Sequence, residues 1–381
     1  MLELWLRDID RQLEVVRSGE DNFARELVRM TSRKGATMNV LLTGAFGNVG
    51  TSTLAALLEQ GHAVRCFDLK TRANVRTSRR FRGRIDVVWG DLRRREDVAA
   101  AVDGQDVVVH LAFIIPKLSV TGFETEDHPS WAHEINVGGT HNLLDAMKAQ
   151  PRPAKLLFAS SYHIYGRTQH QDPPRTAADP LQPIEHYAYH KIECEEMIRS
   201  SGLEWAIFRL AATLPLAMRL DPGMFDIPLD NRMEYVHTRD VGLAFANAIE
   251  EPRVWGKVLL IGGGPRCQYT YRQITGQVLE GMGVGTLPEE AFGRTPFPTD
   301  WLATQESQDI LQYQRLTLKD YVKDMRAGLG ARCSLIRACR PLVRAVLLSQ
   351  SPYLRGDQPS WLALLINKLR PLRTPPEVEA R

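Results

Sequence analysis

Tyr187 and Lys191 stand four residues apart in Tyr187-Ala-Tyr-His-Lys191, at the start of a stretch whose Ile192, Met197 and Ile198 have helical spacing. Residues four apart share one helix face, so the phenol and the ammonium are expected as neighbours. Such a pair can handle the proton of an alcohol. Hydride loss from a carbon bearing a hydroxyl needs a base for the hydroxyl proton. A free phenol, with a pKa near ~10, is poor at this near neutrality. An adjacent ammonium favours the phenolate and moves it toward the useful range. Upstream, Phe158-Ala-Ser-Ser-Tyr-His-Ile-Tyr-Gly166 sets the hydroxyls of Ser160 and Ser161 at the end of an apolar run. The carboxyl ends of strands are where open α/β sheets bind ligands, and a serine there can hold the reacting oxygen in line. Tyr189 and His190 read as surface or pocket-wall residues.

A hydride needs an acceptor, and an earlier stretch has the pattern to hold one. Met38-Asn-Val-Leu-Leu-Thr-Gly-Ala-Phe-Gly-Asn-Val-Gly50 opens with an apolar run of the kind buried on both faces. Gly44, Gly47 and Gly50 follow at three-residue intervals, and Leu54, Ala55, Leu57 and Leu58 then have helical spacing. A strand, a glycine turn and a helix offer a pyrophosphate the free N–H groups at the helix N-terminus. The next apolar run, Ala63-Val-Arg-Cys-Phe67, ends in Asp68, where an acid can meet the adenosine ribose hydroxyls. An aspartate there repels a 2'-phosphate and so favours NAD over NADP. The cations Lys70, Arg72, Arg76, Arg79 and Arg80 just beyond it work against that preference.

These stretches sit in an alternation of strands and helices from 38 to about 165, which predicts a parallel sheet covered on both faces. Ile85-Asp-Val-Val-Trp89, Asp106-Val-Val-Val-His-Leu111 and Lys155-Leu-Leu-Phe-Ala-Ser-Ser161 read as strands. Glu134-Ile-Asn-Val-Gly-Gly-Thr-His-Asn-Leu-Leu-Asp-Ala146 and Asp240-Val-Gly-Leu-Ala-Phe-Ala-Asn-Ala-Ile249 read as helices, and Gly262, Gly263 and Gly264 as a turn.

Taken in order, the motifs resemble the extended short-chain dehydrogenases/reductases, the NAD-dependent epimerase/dehydratase family. The resemblance runs from Met38 to about Gly264. It rests on Thr43-Gly-x-x-Gly-x-x-Gly50, Asp68, Gly90-Asp-Leu92, His110-Leu-Ala112, Asn136-Val-Gly-Gly-Thr140, Ser160-Ser161 before Tyr165-Gly166, Tyr187-x-x-x-Lys191, Phe208-Arg-Leu210 and Tyr235-Val-His-Thr-Arg-Asp240. It implies a doubly wound Rossmann sheet with a small C-terminal substrate lobe, and catalysis by Ser161, Tyr187 and Lys191. It implies NAD held by Gly44, Phe46, Gly47, Asn48, Val49, Gly50, Asp68, Asp91, Leu92, Leu111, Ala112, Asn136, Ser160, Tyr187 and Lys191. In that scheme Asp91 and Leu92 hold the adenine, and Leu111 and Ala112 line the path of the pyrophosphate and ribose. Ser160 faces the cofactor and Lys191 bonds the nicotinamide ribose. Relatives commonly pair through a four-helix bundle, so a homodimer is expected, with apolar positions around Asn142 and Glu195 available for it.

Departures from the family's pattern narrow the chemistry. Where its dehydratases carry an acidic pair, this chain has Tyr162 and His163, so no carboxylic acid is at hand to expel a hydroxyl. The sugar-nucleotide epimerases usually have an asparagine after the strand matching Phe208-Arg-Leu210, where this chain has Ala211-Ala212-Thr213. The stretch 214–234 is short and apolar, with Met218, Met224, Phe225, Ile227 and Pro228, and Arg219 and Arg232 as its only cations. Phe113, Ile114 and Ile115 add apolar surface. The pocket reads as small or greasy, as in the sterol-oxidising branch. The expected activity is NAD-dependent hydride transfer at a secondary alcohol or ketone, with a lipophilic substrate. The alternatives are a nucleotide-sugar epimerase and a catalytically silent dinucleotide-sensing protein.

With 381 residues, 44% hydrophobic and 24% charged, the composition is that of an ordinary globular chain, and a net charge of +3 makes no case for nucleic acid. Cys66, Cys194, Cys267, Cys333 and Cys339 have no metal-ligand spacing, so no metal is expected and a reducing cytoplasm suits them. No apolar run reaches the ~18 residues of a membrane span. Residues 1–37, with Leu2, Trp5, Leu6, Ile9, Leu13 and Val16 at helical spacing, read as a helical extension rather than a secretory signal. Residues 38–330 read as the enzyme domain, its lobe mainly 211–235 and 265–330. Residues 331–381 read as a basic amphipathic extension. Arg337, Arg340 and Arg344 among aliphatics, followed by Trp361, suit peripheral contact with a membrane through 333–370.

Overall fold

The computed structural model describes residues 37–116, 124–215 and 222–354. The expected N-terminal helix, the segment around Met218 and Arg219, the stretch around Trp361 and the C-terminal tail lie outside them. Seven strands form one parallel sheet: β1 (Asn39–Thr43), β2 (Ala63–Asp68), β3 (Asp86–Trp89), β4 (Val107–His110), β5 (Lys155–Ser161), β6 (Trp205–Leu210) and β8 (Val258–Ile261). Their spatial order is β3-β2-β1-β4-β5-β6-β8, which puts the switch of direction at β1 and β4. In doubly wound sheets a ligand crevice opens at that point.

The apolar runs make this sheet because both its faces are covered. Successive strand residues point to opposite sides. Leu42 packs with Leu54, Leu57 and Val241 on one face, and Leu41 with Leu143, Leu156 and Ile207 on the other. Both leucines are fully buried. Each such side chain contributes about 1.5–3 kcal/mol relative to exposure. The covering helices are α1 (Asn48–Glu59), α2 (Arg72–Ser78), α3 (Arg95–Val102), α4 (Pro129–His133), α5 (Gly139–Lys148), α6 (His186–Arg199) and α7 (Thr238–Ala248). A π-helical turn, Glu134–Gly138, joins α4 to α5 inside the stretch expected as a single helix. Gly242 lets α7 lie against α1: a Cβ there would sit 2.6 Å from the Ser52 backbone.

Over the carboxyl edge of the sheet stands the expected lobe. Its antiparallel pair is β7 (Arg232–Glu234) and β9 (Gln268–Thr270), in the register Met233 to Tyr269. Around the pair lie α8 (Tyr271–Met282), α9 (Gln305–Leu311), α10 (Leu318–Leu329), α11 (Arg332–Ala338) and α12 (Arg340–Leu348). Capping boxes start α8 (Thr270 with Gln273) and α10 (Thr317 with Asp320), satisfying amides that the first turn leaves unpaired. The lobe's core joins Phe225, Met233, Tyr235, Ile274, Met325 and Leu347.

Packing does not stop at residue 330, where the sequence suggested a separate extension. Leu347 is buried in the lobe, while Leu335 and Leu342 on the outer side of α11 and α12 are 64% and 61% exposed. No helix among the described residues is long and apolar enough to cross a membrane. On the helices around Asn142 and Glu195, Leu143, Leu144, Met147, Cys194 and Ile198 are buried within the chain. Glu195 is buried too, paired with Arg209 at 2.8 Å.

Candidate active site

Between the sheet's carboxyl edge and the lobe lies a cavity of about 970 Å³. The glycine turn forms one end. Gly44 has φ +65°, and a Cβ on it would lie 2.8 Å from the Ala112 nitrogen; one on Gly50 would lie 2.1 Å from the Gly44 carbonyl oxygen. Gly47 is less constrained, its nearest neighbour for a Cβ being the Gly44 oxygen at 3.3 Å. Gly47 also caps α1 without a side-chain bond, and the first turn holds no acid. Asn48, Val49 and Gly50 therefore bring an uncapped, electropositive helix N-terminus to the cavity wall.

Thr43 ties the turn to β4. Its Oγ1 accepts the N–H groups of Leu111 and Ala112 at 3.2 Å and meets His110 Nδ1 at 2.7 Å. His110, held between Thr43 and Thr140, is pushed down to about 3 by burial and by the Lys191 charge, so it is neutral. Leu111, Ala112 and Leu92 line the cavity as expected positions. Asp68 lines it too, its carboxylate accepting from the N–H of Phe46 at 3.0 Å, the N–H of Leu69 at 2.8 Å and Asn74 Nδ2 at 2.9 Å. Burial raises it to about 6, against the lowering effect of these bonds. Asp91 also faces the cavity, but its carboxylate is clasped by Arg93, with Nη2 at 2.6 Å. Burial pushes it up, and the Arg93 bonds outweigh this, leaving it below the usual range.

Three residues of the cofactor set have polar groups engaged inside the protein. Ser160 lines the cavity, and its hydroxyl donates to Glu195 Oε1 at 2.6 Å. Asn136 is fully buried, its Oδ1 accepting from the Ile114 N–H at 2.7 Å and its Nδ2 donating to the Ile114 oxygen at 3.0 Å. It braces the loop after β4 from the π-helical turn. The Phe46 ring packs on Trp89 at 5.4 Å, and its N–H is spent on Asp68.

Ser161, Tyr187 and Lys191 do converge on the cavity. Ser161 hydrogen-bonds the Tyr187 phenol. Lys191 is buried, its Nζ donating to the Ala159 oxygen at 2.6 Å and lying 3.3 Å from the Phe113 ring centroid and 5.7 Å from that of Tyr187. Burial lowers Lys191 to about 7. Burial also raises Tyr187 above its ordinary value, against the Ser161 bond and with the Glu185 charge. Burial thus holds the phenol in its protonated form and makes the ammonium beside it easily discharged.

The sequence reading missed Glu185 and Glu126. The Glu126 carboxylate takes the N–H groups of His186 and Tyr187 at 3.2 and 3.0 Å, fixing the start of α6. Glu185 meets His163 Nδ1 at 2.5 Å, and both line the cavity. The far wall is apolar: Ile274, Val278, Leu279, Met282, Met325 and Leu347. Arg232, one of the two cations noted in the substrate stretch, is turned away to Asp300 at 2.7 Å. Among the described residues, the Arg and Lys side chains at the cavity are Arg93 and Lys191.

Residues 40–214 match the model of the NAD dependent epimerase/dehydratase family. This segment is a little under half of the chain. It is 33% identical over 177 residues to UDP-glucose 4-epimerase 3 of Oryza sativa subsp. japonica, covering 44% of this chain and 45% of the relative. It is 38% identical over 107 residues to a 3-beta-hydroxysteroid dehydrogenase of Mycolicibacterium neoaurum, covering 28% of each. The chain thus spans less than half the length of either. UDP-glucose 4-epimerases recur among both the curated relatives and the solved structures. A solved short-chain dehydrogenase/reductase superfamily protein from Agrobacterium tumefaciens, with bound NAD, superposes with a TM-score of 0.62 at 20% identity, covering 80% of this chain and all of that one. At that identity the likeness is one of fold.

Proposed function

We propose that this protein is an NAD-dependent enzyme that moves a hydride at a carbinol or carbonyl carbon. What carries the reading is the convergence of Ser161, Tyr187 and Lys191 on one cavity with the glycine turn. The residues fit the dinucleotide. Side chains at Gly44 or Gly50 would collide with backbone, and the uncapped end of α1 suits a pyrophosphate. Asp68, ionised above about pH 6, suits ribose hydroxyls and disfavours a 2'-phosphate. When bound, NAD supplies the hydride acceptor and, reduced, the donor.

The protein's own residues handle the oxygen and its proton. Ser161 and Tyr187 hydrogen-bond the substrate oxygen and orient its carbon. In the direction of reduction the protonated phenol of Tyr187 donates its proton to the forming alkoxide, and in oxidation it takes one. Lys191, held by the Ala159 carbonyl, stabilises the phenolate that results.

For the substrate, the wall of Ile274, Val278, Leu279, Met282 and Met325 favours an apolar secondary alcohol or ketone. The steroid dehydrogenase relative agrees with this. The relatives favour the other reading, a nucleotide-sugar epimerase, over the apolar alcohol, because UDP-glucose 4-epimerases recur among them. The test is a screen of hydroxysteroids, other apolar alcohols and UDP-sugars with added NAD. Net accumulation of reduced nicotinamide with an apolar alcohol supports the first. Conversion of a UDP-sugar to its epimer, with no net reduced nicotinamide, supports the second.

A further inference from the structure

The last two helices of the lobe turn one side outward. The Cys339 N–H donates to the Leu335 oxygen at 2.9 Å and the Val343 N–H to the Cys339 oxygen at 3.0 Å, so the helical pattern runs from α11 into α12. Leu335, Cys339 and Leu342, spaced four and three apart, therefore share one side. All three are exposed. The two leucines, at 64% and 61%, are the most exposed large apolar side chains among the described residues. The other side is spent on the lobe, where Ile336 and Val343 pack against its core and Leu347 is buried in it.

The charge on these helices has one sign. Residues 325–354 hold Arg326, Arg332, Arg337, Arg340 and Arg344 and no aspartate or glutamate. The whole chain is only +3, so the rest of it is net negative. The carboxylate just ahead of the segment, Asp324, is paired with Arg239. Arg340 and Arg344 donate to the Val284 oxygen at 3.0 and 3.3 Å, which pins α12 to the end of α8 without neutralising either charge. Arg326, Arg332, Arg337 and Arg340 are exposed.

An outward apolar stripe beside unneutralised cations fits an anionic lipid surface, where leucines enter the acyl boundary and guanidinium groups meet headgroup phosphates. A second copy of this chain would bring the same cations to the contact, and like charges oppose that pairing. The helix is also a wall of the cavity, since Leu347 lines it together with Leu279 and Met282 of α8. One helix diameter, about 10 Å, then separates the outer stripe from space suited to an apolar ligand. We infer that the α11–α12 face docks the lobe on an anionic bilayer. Leu335 and Leu342 enter the interface, and Arg332, Arg337 and Arg340 hold headgroup phosphates. Docking needs no particular chemistry in the cleft.

The test is vesicle flotation with the full chain. Vesicles of phosphatidylcholine alone are compared with vesicles in which about one third of the lipid is phosphatidylglycerol. Binding to the anionic vesicles should be tighter by about tenfold or more, and should weaken as salt rises. Arg332→Ala and Arg337→Ala should each weaken it about fivefold. Leu335→Glu with Leu342→Glu should abolish flotation and leave thermal unfolding unchanged, because both side chains are exposed. Leu335→Ser with Leu342→Ser adds no charge and should weaken flotation by about tenfold or more. A wild type that does not float overturns the proposal, and so does undiminished flotation of the Leu335→Glu, Leu342→Glu protein. A wild type that stays off vesicles but self-associates, beside a double variant that does not, overturns it in favour of a contact between copies.

Discussion

Ser160 and Ser161 are adjacent on β5, yet their hydroxyls bond different residues of α6. Ser160 donates to Glu195 at 2.6 Å in a buried cluster with Arg209, and Ser161 faces the cleft and bonds Tyr187. Alanine substitutions should separate the two roles. Ser160→Ala leaves one Glu195 oxygen short of a donor and should cost about 1–2 kcal/mol in denaturant unfolding, with the hydride-transfer rate nearly intact. Ser161→Ala should lower that rate about 10–100-fold with little loss of stability.

Tyr187→Phe keeps the ring that packs against Phe113 at 5.8 Å and His163 at 5.9 Å, and removes only the hydroxyl. Turnover should fall by about 10²–10⁴-fold. NAD affinity, measured by calorimetric titration, should change less than threefold.

The glycine turn makes a graded expectation. A Cβ at position 50 lies 2.1 Å from the Gly44 carbonyl oxygen, one at position 47 lies 3.3 Å from it. Gly50→Ala should therefore abolish NAD binding or reduce soluble expression. Gly47→Ala should fold and bind NAD more weakly, as thermal shift with and without NAD will show.

Lys191 gives a pH signature. Its ammonium is lowered to about 7 in the folded chain from an ordinary value of 10.5. Below about pH 7 it is charged in both folded and unfolded states, and the burial cost is fully present. Between about 7 and 10.5 the unfolded chain holds a proton that the folded chain has lost, so stability rises with pH. Lys191→Met lacks this slope. Its stability advantage over the wild type should be largest below pH 7 and shrink as pH rises.

Asp68, raised to about 6 by burial, works in the opposite sense. Its ionisation costs stability above pH 6, and the cost is relieved as pH falls from about 6 toward 4. Only the ionised form repels a 2'-phosphate. The ratio of NAD to NADP affinity should therefore fall as pH drops below 6, and Asp68→Asn should show a low ratio at every pH.

The sheet was legible because its strands are short apolar runs that can only be buried on both faces, as Leu41 and Leu42 show. Tyr187 and Lys191 were legible because helical spacing is local. What spacing could not supply was side-chain direction across the fold. Ser160 has its partner at Glu195, 35 residues away, and Asn136 has its own in the Ile114 backbone, 22 residues away. The His163–Glu185 pair escaped notice for the same reason, since 22 residues separate its members. The apolar wall draws on α8, α10 and α12, whose inward positions have helical periodicity but no motif to say that they face a cavity.

The most direct measurement follows the hydride itself. Enzyme, NADH deuterated at the transferring C4 position, and apolar ketones are mixed, and the product carbinol is analysed by mass spectrometry. Wild type should deliver deuterium to the carbinol carbon, and Tyr187→Phe should deliver it at least 100 times more slowly. Equal transfer by the two proteins would contradict the account.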